Sequence, residues 1–242
     1  MDNLWAIILA AGKGKRMNAK KINKVTVTVG GQPIIARTIQ TLKSAGIKNT
    51  VVVVGHAKKS VIDLLDKDVS WVEQKKRLGT AHAVKVVLKS IPKDVQDLLV
   101  LYGDDSYLYT PDIFLMLYQL HQQKAASVSF LSTELANPFG LGRVLKDSQG
   151  EVMDVIEEKD ATNEQKKIKE VNLGGFLFDL NFLRKNINKL QKSKVTGEYY
   201  ITDIIKEAVK QKAKVMVLKL EAQKWRGINT PEELKEAQGL IN

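Results

Sequence analysis

Residues 4–11, Leu-Trp-Ala-Ile-Ile-Leu-Ala-Ala, form an unbroken apolar run that stops at Gly12. A run without polar alternation, closed by a glycine, predicts a strand buried on both faces, as in a parallel sheet. From Pro33 the period becomes helical, with Ile34, Ile35, Ile39, Leu42 and Ala45 on one face and Gly46 as the stop signal. Thr50 to Val54 is an all-β-branched strand, and a helix follows with Val61, Ile62, Leu64 and Leu65. Val69 to Val72 reads as a strand, Ala81 to Leu88 as a helix, and Leu98 to Tyr102 as a third buried strand ending at Gly103-Asp104-Asp105. The next helix is predicted from Pro111 to about Gln123.

Strand and helix thus alternate through residues 1–125, the pattern of βαβ units in a doubly wound sheet. Ligands of such sheets lie beyond the carboxyl ends of the strands, which here read Ala10-Ala11-Gly12 and Tyr102-Gly103-Asp104. After residue 126 the pattern turns strand-rich: Ser127 to Ser132, Gly142 to Lys146, Glu151 to Glu157 and Glu170 to Phe178, with a turn at Asp147 to Gly150 and a polar excursion from Asp160 to Lys169. Helical patterns return at Asn181 to Leu190, Thr202 to Lys212 and Pro231 to Leu240. The expected fold class is α/β: a mixed, mainly parallel sheet with helices on both faces and a small β-rich lid. No internal repeat or low-complexity linker interrupts the chain, so residues 1–242 read as one domain.

Composition narrows the chemistry. The 242 residues contain no cysteine, which removes disulfides, thiolate metal sites and a cysteine nucleophile, and His56, His82 and His121 are too scattered to form a His-x3-His pair. The first residues lack the basic region of a signal peptide, and no apolar run approaches the ~20 residues of a membrane span, so a cytoplasmic location with no membrane partner is expected. With 38 Lys and Arg against 27 Asp and Glu, the net charge of +11 suggests nucleic acid, an anionic surface or a small polyanion.

Where those charges sit discriminates. Residues 13–24 hold six of them, Lys13, Lys15, Arg16, Lys20, Lys21 and Lys24, and no acid. They follow Leu9-Ala10-Ala11-Gly12-Lys13-Gly14-Lys15-Arg16-Met17, directly after the first strand. The segment fails as a P-loop, having the wrong spacing and no Ser or Thr after lysine, and fails as a dinucleotide loop because Met17 stands at the last glycine. Two glycines still permit close backbone approach to an anion beside convergent cations. The bland alternative is a solvated basic turn. A nucleic-acid surface would interleave aromatics with the cations; aromatics are 6% of the chain and none lies in residues 13–24, so no nucleic-acid partner is expected.

The same segment, with Lys24 and Gly31-x-Pro33-Ile34 after it, resembles the signature of the sugar-1-phosphate nucleotidyltransferases. That family usually has threonine where Lys15 stands and proline where Asn23 stands; both changes bear on loop shape. Glu73-Gln74-Lys75-Lys76-Arg77-Leu78-Gly79-Thr80-Ala81-His82-Ala83 is similar to a segment of the bacterial N-acetylglucosamine-1-phosphate uridylyltransferases. Gln74 offers both a donor and an acceptor, as the amide edge of uracil requires, although Gly79-Thr80 is also an ordinary helix start with Thr80 as N-cap. His82 reads as a packed helix histidine. The series Gly142-Arg143-Val144, Ile156 to Thr162, Glu164-Gln165 and Glu170-Val171-Asn172 matches the same group, as do Gly197 to Asp203 and Trp225 to Asn229. Asp105 and Leu173 depart from its pattern, the first as a second acid beside Asp104 and the second within the sugar segment.

What the resemblance implies is a Rossmann-like, GT-A-like fold with a nucleotide-binding half (1–125) and a sugar-binding half (126–242). It implies a reaction of a nucleoside triphosphate, most simply UTP, with N-acetylglucosamine-1-phosphate, in nucleotide-sugar supply for cell envelope polysaccharide. Leu9, Ala10, Ala11, Gly12, Gly14, Gln74, Gly79 and Thr80 would bind the nucleotide. Tyr102, Gly103, Gly142, Glu157, Asn172, Glu198, Tyr200 and Thr202 would meet the sugar. Arg16, Lys13 and Lys24 would carry catalysis, and Asp104 with Asn229 would hold Mg2+. The same chemistry with another base or sugar, such as a guanylyltransferase or a hexosamine-1-phosphate, is the alternative, as is a regulatory relative without turnover. The larger enzymes of this group continue into a β-helix of hexapeptide repeats with acetyltransferase activity, which is not expected here.

Overall fold

The computed structural model describes residues 3–12, 14, 23–225, 227 and 231–239. Its strands and helices, in chain order, are β1 (Leu4–Ala10), β2 (Thr28–Val29), β3 (Gln32–Pro33), α1 (Ile34–Ser44), β4 (Asn49–Val54), α2 (Lys58–Ile62), β5 (Ser70–Glu73), α3 (Thr80–Val87), β6 (Asp97–Tyr102) and α4 (Pro111–Gln123). The second half adds β7 (Val128–Glu134), β8 (Arg143–Lys146), β9 (Val152–Ile156), α5 (Asn163–Lys166), β10 (Glu170–Asp179), α6 (Leu180–Asn186), α7 (Asp203–Lys210), β11 (Val215–Lys219) and α8 (Pro231–Gly239).

One sheet crosses both halves in the order β11-β7-β10-β6-β1-β4-β5, while β8 pairs with β10 and β9 with β8. β6, β1, β4 and β5 are mutually parallel, and β11 is parallel to β7. β10 runs antiparallel between β6 and β7, which makes the sheet mixed. The apolar run at the start of the chain explains why β1 lies centrally. Leu4, Ala6, Ile8 and Ala10 enter one core with Ile35, Ile39, Leu42, Ile113 and Phe114 from α1 and α4. Ile7 enters the other, with Val84 and Val87 of α3, Leu183 of α6 and Ile204, Ile205 and Ala208 of α7. A strand with both faces apolar has helices over both, as the lack of alternation requires.

The structure differs from the sequence pattern at three places. Residues 160–169, read as a polar excursion, contain α5, a short helix closed by a capping box in which Thr162 accepts from Gln165 N–H and Gln165 returns the bond. Val215–Lys219 forms the edge strand β11, unmarked in the sequence reading because four apolar residues in a row beside a lysine-rich helix carry no period. The 3-10 turn Lys24–Thr26 and the β2–β3 hairpin fill the space between the basic segment and α1. Among the described residues no helix is long and apolar enough to cross a membrane.

Candidate functional site

The carboxyl ends of β1, β5 and β6 open into one cavity of about 860 Å3. That is within the range of pockets that enclose small ligands, ~300–1,000 Å3. Leu9, Ala10, Ala11, Gly12 and Gly14 form its wall at the end of β1. Gly14 has φ +54°, a backbone conformation that favours glycine, and a Cβ there would be in ordinary contact with Lys24 Cβ at 3.4 Å. Lys24, 6% exposed, reaches across to Asp104 at the end of β6, its Nζ 2.5 Å from Asp104 Oδ2. Both line the cavity. Gly103 lets β6 close on β1: a Cβ there would sit 2.9 Å from the Leu9 carbonyl and 3.1 Å from Val25 Cγ1. Lys13, Arg16 and Asn229 lie outside the described residues.

On the β5 side, Gln74 is bound through its own N–H to the Val54 carbonyl at 2.8 Å and is 4% exposed. Gly79 has φ +103°, and any side chain there would collide with the Tyr199 backbone. The close fit is needed because residues 198–201 are strapped onto 78–81: Tyr199 N–H donates to Leu78 O, Ala81 N–H to Tyr199 O, and Ile201 N–H to Thr80 Oγ1. Thr80 is therefore not the N-cap of α3 that its position suggested. Gly79 occupies the cap, and the Thr80 hydroxyl is used between segments. This strap brings Glu198 to the cavity wall.

Tyr102 lines the cavity and connects it to the remaining candidates. Gly142, Glu157, Asn172, Tyr200 and Thr202 do not line it; Gly142 packs on Asn172, and Glu157 bonds Thr202. A Cβ on Gly142 would strike the Asn172 amide, so Gly142 exists to admit that side chain. Asn172 donates its N–H to Gly142 O at 3.0 Å and accepts from Gly174 N–H at 3.1 Å. Gly174, at φ +71°, faces the Tyr102 ring so closely that a Cβ would sit 2.7 Å from it. Thr202 donates its hydroxyl to Glu157 Oε1 at 3.1 Å, and Tyr200 pairs with Thr196 at 2.7 Å. Burial raises the Glu157 carboxyl to about 7, with the carboxylates of Asp203, Asp160 and Glu198 adding to the rise. Burial, and then Glu157 itself, pushes the Tyr102 hydroxyl well above its ordinary range.

The two departures from the family pattern also find places. Leu173 is fully buried in the core with Leu99 and Leu101, and its carbonyl accepts from the Tyr109 hydroxyl at 2.5 Å, so its side chain belongs to packing. Asp105 is 8% exposed and does not line the cavity; its charge acts on the hydroxyls of Tyr102 and Tyr109, both raised. Residues that sequence reasoning did not assign to the site include Lys75, Lys76, Arg77 and Lys159 on the cavity wall. The first three adjoin Gln74 in sequence, which was the available signal.

The donor set bears on a divalent metal. Among the described residues no group of three or more His, Cys, Asp or Glu converges. Asp104, a hard oxygen donor whose side chain is 32% exposed on the cavity wall, suits magnesium, which commonly takes one or two carboxylates and completes its shell with substrate phosphates and water.

Comparison with known proteins places this geometry. A family profile described as nucleotidyl transferase matches residues 5–242. The bifunctional protein GlmU of Neisseria meningitidis serogroup B is 39% identical over 242 residues, covering 99% of this chain and 52% of that protein. GlmU of Caldanaerobacter subterraneus is 33% identical over 241 residues, covering 100% of this chain and 52% of that protein. The chain thus spans about half the length of the curated relatives it matches. A putative glucose-1-phosphate thymidylyltransferase from Bacillus anthracis, solved in complex with sucrose, superposes with a TM-score of 0.80 at 22% identity, covering 98% of this chain and 95% of that one. A UDP-glucose pyrophosphorylase complexed with UDP-glucose gives 0.78 at 20% identity, with 97% of each chain covered. At such identities the structural likeness speaks to fold, whereas the profile and the sequence relatives speak to descent: the chain belongs to the nucleotidyl transferase family.

Proposed function

We propose that the chain joins a nucleoside triphosphate to a sugar-1-phosphate, releasing pyrophosphate, with UTP and N-acetylglucosamine-1-phosphate as the substrates. The observation that carries this reading is the meeting of three elements at one cavity: the glycine loop with Lys24 and Asp104, the Gln74–Thr80 segment, and Tyr102 with Glu198. These suit phosphates, a base and a sugar respectively.

In the reaction a phosphate oxygen of the sugar-1-phosphate attacks the α-phosphorus of the triphosphate. The bond from that phosphorus to the bridging oxygen breaks, and the β- and γ-phosphates leave as pyrophosphate. A phosphomonoester has a second pKa of about 6, so the nucleophile is already ionised near neutrality and needs no general base. The protein's task is then to bring two polyanions together in line and to neutralise them. Lys24 supplies a fixed cation from the buried side of the cavity. Lys13 and Arg16 are assigned to the leaving phosphates from their place in the sequence. Asp104, with Asn229, would hold a magnesium ion, which supplies charge neutralisation at the phosphates. Gly142, Glu157 and Asn172, with Tyr102 and Glu198, would hold the sugar.

Pyrophosphate release measured across four nucleoside triphosphates and a panel of sugar-1-phosphates tests the reading. It predicts release that requires both substrates and is fastest with UTP and N-acetylglucosamine-1-phosphate. Turnover with a different pair would reassign the substrates, and no turnover with any pair would remove the activity.

A further inference from the structure

The side-chain nitrogen of Gln74 contacts two partners at once, the Gly79 carbonyl at 3.0 Å and Nδ1 of His82 at 2.9 Å. A carbonyl oxygen can only accept, so the Gln74 atom facing it is the amide nitrogen and not the oxygen. The same nitrogen then donates its second hydrogen to His82, whose Nδ1 must carry a lone pair and whose proton resides on Nε2. Burial and the nearby Lys85 cation hold His82 below its usual range, which keeps the ring neutral and able to accept. Both hydrogens of the amide are therefore spent inside the protein. Of the side-chain polar atoms of Gln74, Oε1 is the one left for the cavity that the residue lines. Donor and acceptor both, the expectation from residue type, is thus corrected to acceptor alone.

We infer that His82, by fixing the Gln74 amide with its oxygen toward the cavity, is a positioning residue that selects bases whose facing ring nitrogen carries a hydrogen. Uracil, thymine and guanine present such an N–H, whereas cytosine and adenine present a lone pair that Oε1 would repel. Discrimination of this kind is strong because the wrong base leaves two acceptors opposed and desolvated. Without an acceptor on residue 82 the amide keeps one unspent hydrogen and gains freedom to turn, and the reason to prefer uracil over cytosine weakens. The inference rests on the UTP reading above and adds the residue, His82, that holds Gln74 in the orientation this reading needs.

Equilibrium binding of UTP and of CTP to the full chain, by calorimetry, tests it without relying on turnover. The wild type is expected to bind UTP at least tenfold more tightly than CTP. His82→Leu, which removes the acceptor, is expected to reduce that ratio at least fivefold. His82→Asn, whose Oδ1 can accept in place of Nδ1, is expected to keep the ratio within twofold of wild type. A purely structural role would affect both substitutions through melting temperature and leave the ratio alone. His82→Phe is read in place of His82→Leu if the leucine variant does not fold. A wild type without the preference, a smaller fall in the acceptor-free variant, or an asparagine variant that loses the ratio would each overturn the inference. A wild type that binds no nucleotide would instead overturn the reading on which it rests.

Discussion

Lys24 Nζ lies 2.5 Å from Asp104 Oδ2, joining residues 80 positions apart across the ends of β1 and β6. The pair sets a cation and an anion side by side on the cavity wall, and it ties the turn after the basic segment to the central sheet. Lys24→Met removes a fixed charge from where phosphates would react and is predicted to lower turnover by roughly 10²–10³-fold, the cost of losing one preorganised electrostatic group. Asp104→Asn is predicted to lower it by a similar factor. The double variant should lose less than the sum of the two in free energy, because the groups are in contact. Steady-state kinetics of the three variants checks this, and full additivity would contradict it.

Asn23 accounts for the shape of that turn. Its side-chain nitrogen donates to the Ala10 carbonyl at 2.7 Å and the His56 carbonyl at 2.9 Å, its oxygen accepts from Val25 N–H at 3.2 Å, and its own N–H donates to Ser60 Oγ at 3.1 Å. Asn23→Pro introduces the residue usual in related sequences at a φ of −84°, near what proline tolerates, yet it removes these donors. It is predicted to cost about 2 kcal/mol in urea unfolding and to raise the KM for nucleotide several-fold. Asn23→Ser keeps a capping oxygen for Val25 but cannot span to both carbonyls, and should raise the same KM with a smaller loss of stability. An unchanged KM in both variants would contradict the role.

Glu157 supplies a pH dependence. Its carboxyl rises from 4.5 in the unfolded chain to about 7 when folded, chiefly by burial. The folded state therefore holds the proton more tightly. The stability this contributes is complete below pH 4.5 and is lost as pH rises through about 7, by at most about 3 kcal/mol. Asp203, raised to about 6 by burial and Asp154, acts in the same direction. Glu157→Gln removes only the first contribution, so the fall in melting temperature between pH 5 and pH 8 should be shallower than in wild type. Parallel profiles would contradict the assignment.

Arg143 and Glu158 form a further pair at the edge of the sugar half, with Nη2 2.6 Å from Oε2 and Arg143 only 2% exposed. The guanidinium also donates to the Leu141 and Lys166 carbonyls, and Glu158 Oε2 accepts from Gly140 N–H at 3.2 Å. Gly142 and Glu157 each lie one residue from a member of the pair. Glu158→Ala is predicted to destabilise by about 3 kcal/mol, since a buried guanidinium loses its carboxylate, and to raise the KM for the sugar phosphate more than that for the nucleotide. Equal changes in the two would contradict a link to the sugar half.

Much of this was legible in the residues. The unbroken apolar runs placed β1, β4 and β6, and the cavity lies where the carboxyl ends of β1 and β6 were read to hold a ligand. Pro111 and Gln123 bounded α4 as the structure has it. What escaped was long-range pairing. Nothing within 78–81 shows that 198–201 will strap onto it and take the Thr80 hydroxyl away from capping. Nor does the composition of Gln74 show that both its hydrogens are spent, because that depends on a histidine eight positions along the chain and on a carbonyl orientation. Strand β11 escaped because edge pairing with β7 decides it, whereas its own five residues fit several structures.

The central claim is transfer of a nucleotidyl group to a sugar phosphate at this cavity. Phosphorus NMR of the chain with UTP, N-acetylglucosamine-1-phosphate and magnesium chloride tests it most directly, since every reacting phosphorus is resolved. The predicted result is the loss of both substrate signals with matched growth of a two-phosphorus diester and of pyrophosphate, one of each per turnover. Spectra in which the sugar phosphate stays unchanged, whether or not the triphosphate is hydrolysed, would contradict the account.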